Sequence, residues 1–321
     1  MERILELKDL QVDLLTEKGI GKAVRGMNLT LDKGEIHGIV GESGCGKTVT
    51  AKSILRLHDE KKTEYRGCIL YGDQKTSLLE LTEKSMNRYR GKEIAYVPQN
   101  PMTSFDNLYT IGEQIAETMR QHLKLSAKDA WARTLVLLTQ VGVTPAEKRA
   151  LQYPYEFSGG MLQRTMIALA VSCHPGILIA DEATTALDVT MQARVLKLLK
   201  RLRDETGMSI LCITHNFGVV AEICDRVTVM YGGTVVESGS VSDIFNSSKH
   251  PYTETLIRNI LKSGERKEQL LTIPGNPPEI TDFMEGCPYA ARCFYAGNVC
   301  FKTAPAPKEA GAGHVFSCHM K

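Results

Sequence analysis

The chain has 321 residues, 43% hydrophobic and 24% charged, with 39 basic against 37 acidic side chains and a net charge of +2. That composition describes a folded globular protein rather than a disordered one, and the near-neutral balance gives no support for a dedicated nucleic-acid or membrane-surface binder. No run of about 18 apolar residues is present, so no bilayer-spanning helix is expected, and the charged start MERILELKDL predicts no secretion signal and a cytoplasmic compartment.

In chain order, residues 1–40 read as strands: RILELKDLQVDLL alternates apolar and polar, and GEIHGIV is a short apolar run. KTVTAKSILRL (47–57) has helical spacing, and residues 65–100 hold short strands, including EIAYVPQ. From about 110 to 150 the pattern is helical, in TIGEQIAETMRQHL and AKDAWARTLVLLTQVG. GILIADE reads as a buried strand, TMQARVLKLLKRLRDETG as a helix, SILCITH as a strand and RVTVMYGGTVVESG as a hairpin. Strands alternating with helices predict a parallel sheet covered on both faces. After about residue 262, SGERKEQLLTIPGNPPEITDF reads as a linker or extended strap, and a cysteine-rich segment follows.

GESGCGKT (41–48) fits G-x-x-x-x-G-K-[ST], between the strand HGIV and a helix. Gly41, Ser43, Gly44, Cys45 and Gly46 would turn consecutive amides inward around a phosphate, where side chains would clash. The helix N-terminus adds positive potential, Lys47 would reach the β- and γ-phosphates of ATP, and Thr48 would offer its hydroxyl to Mg²⁺. In GILIADE, a buried strand delivers Asp181 and Glu182 to its C-terminal end, where Asp181 would hold Mg²⁺ through water and Glu182 would act as general base.

With FSGGMLQR (157–164), VPQ (97–99), TTALDV (184–189) and ITH (213–215), these motifs resemble the ATPase subunits of ABC transporters, over about residues 20–250 and in the expected order. The resemblance implies an α/β fold: a P-loop NTPase (RecA-like) core with an antiparallel β subdomain, an inserted helical subdomain at about 101–165 and a C-terminal cysteine-containing extension. It places a nucleotide-binding domain at 1–260 and the extension at 261–321. It further implies that Gln99 senses Mg²⁺ and water, and that Ser158, Gly159 and Gly160 bind the γ-phosphate of ATP held by the opposite subunit. Asp188 would sit in a dimer-contact loop and His215 would contact the γ-phosphate. Two departures stand out. No aromatic residue precedes Tyr65 to stack the adenine, leaving Leu14 or Ile20 to supply apolar contact, and Ala183 stands where related sequences usually have proline.

Five cysteines, Cys45, Cys68, Cys173, Cys212 and Cys224, are scattered singly and read as small buried hydrophobes. Cys287, Cys293, Cys300 and Cys318 crowd the end of the chain at spacings too long for zinc-ribbon knuckles. GCPYAARCFYAGNVC, with HPYT (250–253) and IPGNPP (273–278), resembles the extension of peptide and nickel importer ATPases, in which such cysteines are associated with an iron–sulfur cluster. A [4Fe–4S] cluster, Zn²⁺, disulfides and free thiols all stay open, and His314 and His319, which flank Cys318, read as surface residues or as substitute ligands. Few large apolar residues are available to the segment, which predicts that a metal centre holds it.

The implied function is ATP hydrolysis at a composite dimer interface, driving import of peptides or nickel and metal chelates. The implied partners are a second homologous ATPase subunit (or a homodimer), two transmembrane permease subunits and an extracytoplasmic solute-binding protein, with this chain peripheral at the cytoplasmic face of the inner membrane. A soluble ABC ATPase acting on nucleic acid or ribosomes is the alternative, opposed by the single cassette and the near-zero charge. An exporter is opposed by the lack of fused membrane helices.

Overall fold

The computed structural model describes residues 2–184, 187–262, 273–282 and 284–321. Most of the expected linker, and Thr185 and Ala186 of TTALDV, lie outside the described residues. The chain forms two compact units, one of residues 1–80 with 212–321 and one of residues 81–211.

The first unit begins with β1 (Arg3–Thr16) and β2 (Gly19–Asp32), paired antiparallel with Leu5 opposite Leu31 and Val12 opposite Val24. β3 (Ile36–Val40) is buried along its whole length, and α1 (Lys47–Ile54) follows it after the glycine loop. The helix stops short of the 47–57 pattern because Arg56 turns left-handed, at φ 50. β4 (Thr63–Tyr71) pairs with the free edge of β1, and β5 (Thr76–Ser77) completes an antiparallel sheet in the order β2-β1-β4-β5.

The second unit opens with α2 (Glu83–Met86) and β6 (Ile94–Val97). The helical patterns of 110–150 become α3 (Ile111–Leu123), α4 (Ala127–Gln140) and α5 (Ala146–Ala150). Thr110 and Glu113 cap α3 reciprocally and Ser126 caps α4, which satisfies first-turn amides and fixes where each helix begins. α6 (Gly159–Val171) leads into β7 (Ile177–Asp181), again wholly buried and parallel to β6, and α7 (Val189–Thr206) follows.

β8 (Ser209–Thr214) carries the chain back into the first unit. There α8 (Phe217–Ile223) precedes β9 (Arg226–Tyr231), which runs parallel to β3, and β10 (Thr234–Ser240) folds back on β9. The two-residue turn between them is Gly232–Gly233, both at positive φ (53 and 82), the hairpin geometry that glycine pairs favour. α9 (Val241–Ser247) and α10 (Pro251–Lys262) follow.

The C-terminal segment adds α11 (Asn298–Lys302) and a hairpin of β11 (Lys308–Gly311) and β12 (His314–Phe316), which the sequence pattern did not reveal. β12 pairs with β10, giving the local order β11-β12-β10-β9-β3. Tyr289, 2% exposed, enters the core cluster of Val40, Val229, Tyr231 and Tyr252. The segment is therefore fastened by strand pairing and apolar burial in the first unit, and these contacts do the holding for which the sequence suggested a metal.

Candidate functional site

Glycine is required at two points of the loop between β3 and α1. A Cβ on Gly41 would lie 2.2 Å from Met230 O, and one on Gly46, at φ 102, would lie 2.4 Å from Ala23 O. Gly44 is left-handed at φ 81 with nothing within 4 Å of where its Cβ would be, so the loop is squeezed from behind and open at that point. Cys45, 3% exposed, fills the rear of the loop, and its O accepts from Gly233 N at 3.2 Å. Lys47 is 4% exposed; its Nζ donates to Gly41 O at 2.7 Å and to Glu42 O at 2.9 Å, so the ammonium is folded over the loop's own carbonyls. Thr48 stands in the first turn of α1, which has no acidic residue and no side-chain cap to compete for an anion. These features fit a polyphosphate. Leu14 is half-buried on β1, and Ile20 is 65% exposed on β2. His215 is exposed just beyond β8, followed by Asn216, which caps α8.

The second unit holds the acidic residues. Asp181 ends β7 with 1% exposure, and its Oδ2 accepts from Tyr96 OH at 2.7 Å. Burial first, then that carboxylate, pushes the Tyr96 phenol well above its usual range, so Tyr96 stays a donor. Glu182 is left-handed at φ 49, a sparsely populated conformation for a side-chain-bearing residue, and its Oε2 accepts from Gln99 Nε2 at 2.8 Å. With Ala183 in place of proline, the backbone of Glu182 escapes the restriction a following proline imposes.

Ser158 caps α6 by accepting from Met161 N at 3.4 Å, and Gly159 is exposed with nothing within 4 Å of a would-be Cβ. Gly160 lies under Met191 of α7. Asp188 accepts from Met191 N at 2.9 Å and caps α7, a role the sequence reading passed over although an aspartate directly before an amphipathic helix signals it.

Cys287, Cys293, Cys300 and Cys318 are free thiols in the first unit. The Cys287 thiol is pushed up to about 11 by burial and then by Cys300, Cys293 and Cys318, and Cys293 moves the same way for the same reasons. Among the described residues no three His, Cys, Asp or Glu side chains are grouped to hold a metal, so the expected ligand set, His314 and His319 included, does not fit one as it stands. His314 instead bonds Glu237 Oε1 at 2.8 Å, and His319 bonds Thr303 O.

Comparison with known proteins adds two family matches: "ABC transporter" over residues 24–185, and "oligopeptide/dipeptide transporter, C-terminal region" over residues 236–300. The chain is 43% identical over 317 residues to a probable peptide ABC transporter ATP-binding protein, y4tR, of Sinorhizobium fredii, spanning 98% of this chain and 94% of that one. It is 42% identical to the dipeptide transport ATP-binding protein DppD of Bacillus subtilis (100% and 96% covered), and 46% identical to the oligopeptide transport ATP-binding protein OppD of the same organism (94% and 85%). Among solved structures, the dimeric ATP-binding cassette MJ0796 bound to ADP and Pi aligns at 26% identity and a TM-score of 0.66, covering 74% of this chain and 99% of the other.

Proposed function

The chain belongs to the ABC transporter family, and on that premise we propose that it is the ATP-hydrolysing subunit of a peptide importer. The observation that carries this reading is the loop at 41–48: glycines pressed against backbone where a Cβ would collide, an opening at Gly44, and a buried Lys47 at the start of a helix.

In this reading Lys47 and the loop amides hold the β- and γ-phosphates, while Thr48 and Asp181 hold the Mg²⁺. The metal, when bound, neutralises charge on the phosphate oxygens. Glu182, oriented by Gln99, takes the proton of a water attacking the γ-phosphorus, and the bond to the ADP oxygen breaks as phosphate forms. His215 donates to the γ-phosphate. Ser158, Gly159 and Gly160 close on the phosphate of a partner ATPase subunit, so that ATP joins two chains and its hydrolysis separates them. The dimeric cassette bound to ADP and Pi supports that arrangement.

Two permeases and a solute-binding protein complete the proposed importer, with this chain held peripherally at the cytoplasmic face; among the described residues no helix is long and apolar enough to cross a membrane. Peptide is the solute class supported by the names of the relatives, none of which mentions nickel. For the four tail cysteines the donor type suits iron–sulfur or zinc, but their arrangement does not gather them for either, so no metal role is proposed; iron, sulfide or zinc bound to anaerobically purified protein would reinstate it.

The test uses Glu182→Gln in the purified complex. Hydrolysis falls by at least about a hundredfold while ATP binding and ATP-dependent subunit association persist. Near-wild-type turnover overturns the role of Glu182; no ATP-dependent association with the cognate partner overturns the motor reading.

A further inference from the structure

The phosphate loop contains a carboxylate that the proposed chemistry does not use. Glu42 follows Gly41, and two distant parts of the first unit converge on it together with the loop's own lysine. Its N–H donates to Tyr252 OH at 2.9 Å, at the start of α10. Its carbonyl accepts from Lys47 Nζ. Its Oε2 accepts from Arg292 Nη1 at 2.6 Å, 250 residues away in the cysteine segment.

Arg292 is built into this place. It is 9% exposed; Nε donates to Pro274 O at 2.8 Å, Nη2 to Ile273 O at 3.3 Å and Nη1 also to Tyr231 OH at 3.0 Å, with the guanidinium 5.8 Å from the Tyr231 ring centre. Tyr231 in turn packs edge-on against Tyr252 and Tyr289, which are tilted on each other, with ring centres 4.8 to 5.2 Å apart. A guanidinium so enclosed has little freedom, so its fork points at Glu42 by construction.

We propose that Arg292 is a positioning residue for nucleotide binding, which holds and neutralises the Glu42 carboxylate so that it does not repel the phosphates bound by the adjoining amides. The C-terminal segment is thereby part of the apparatus that sets nucleotide affinity. This rests on the assignment of the 41–48 loop to nucleotide phosphate. An anion beside a polyphosphate site weakens it unless a cation is fixed on it, and the pair leaves the loop's field to Lys47 and the helix terminus.

The test is a titration of the purified full chain with Mg-ADP. R292M keeps the apolar stem over Tyr231 but removes the charge. R292M binds ADP about tenfold more weakly than wild type, and the deficit shrinks as salt is raised, which lost packing would not produce. R292K restores binding, and R292M/E42Q, freed of the unpaired anion, returns to within about threefold of wild type. E42Q alone keeps the test open if R292M does not fold: it binds at least as tightly as wild type. Unchanged affinity in R292M, equal weakness in R292M and R292M/E42Q, a salt-independent deficit, or a tenfold loss in E42Q each overturns the proposal. Failure of the wild-type chain to bind Mg-ADP would instead unseat the nucleotide assignment itself.

Discussion

Two loops in this molecule share one local recipe, glycines at the mouth of a helix with no acidic residue in its first turn, and differ in everything around it. The loop at 41–48 is packed from behind by Met230 and Ala23, carries a buried lysine and is braced by Tyr252 and Arg292. The loop at 158–160 is exposed at Ser158 and Gly159, has no lysine, and is held by the serine cap and by Met191 against Gly160. The first is a preorganised site whose ordering cost is met during folding, so it can bind an anion alone. The second offers amides without a charge and needs a phosphate already immobilised elsewhere. Similar sequence chemistry thus yields a primary site and an accessory one, and the surrounding packing decides which.

Lys47→Ala is the harshest way to break this contrast. It removes the one cation of the first loop, and nucleotide affinity of the single chain falls by at least about a hundredfold, with hydrolysis lost, by calorimetric titration. Affinity within about threefold of wild type would mean that the first loop works by amides alone, as the second does. Gly159→Asp sharpens the contrast from the other side. The open space at Gly159 accepts a side chain, and an acid in a first helical turn is favourable, so the melt and the ADP affinity of the isolated chain stay as in wild type. ATP-dependent association with the partner, followed by size-exclusion chromatography with hydrolysis disabled, weakens by about a hundredfold, because the added carboxylate meets the partner's phosphate. A drop in single-chain affinity would show that the second loop serves its own nucleotide.

How much of this was legible in the sequence follows the same division between local and distant. GESGCGKT could be read because every residue of the cradle is contiguous and flanked by an apolar strand and a helix. α3 and α4 could be read because their helical spacing is local, and the structure starts them at Ile111 and Ala127, where Thr110, Glu113 and Ser126 cap them within the same turn. Asp181 and Glu182 could be placed at a strand end, but not the bond from Gln99 to Glu182 or from Tyr96 to Asp181, which joins residues more than 80 positions apart. The Arg292–Glu42 pair was out of reach for the same reason. The cysteines show the opposite failure. Their residue type announces soft ligands, whereas ligand geometry depends on how 287–318 folds, and the pairing of β12 with β10 and the burial of Tyr289 gave that segment other anchors.

The mildest test acts on the brace of the first loop, through His250. This imidazole is 1% exposed, and burial holds it down at about 4 against an ordinary 6.5. Its Nδ1 accepts from the N–H of Tyr252, the residue whose hydroxyl meets Glu42, and the backbone N–H of His250 donates to Glu237 Oε2 at 3.0 Å. Above pH 6.5 the ring is neutral folded or unfolded, so its stability contribution is complete. Between 6.5 and 4 the unfolded chain takes up a proton that the folded chain refuses, and stability is lost through that window, by roughly 3 kcal/mol once both forms are protonated. Depressed carboxylates such as Asp243 also drain stability on acidification, so the informative quantity is a difference. His250→Gln keeps an acceptor for the Tyr252 amide but cannot titrate. The melting temperature of wild type therefore falls more steeply than that of H250Q from about pH 7 to about pH 4.5, by a few degrees, since each kcal/mol moves a chain of this size by about 2–4 °C. Parallel slopes would show that His250 is hydrated in solution and that the brace is looser than its burial implies, which would bring the first loop closer in character to the second.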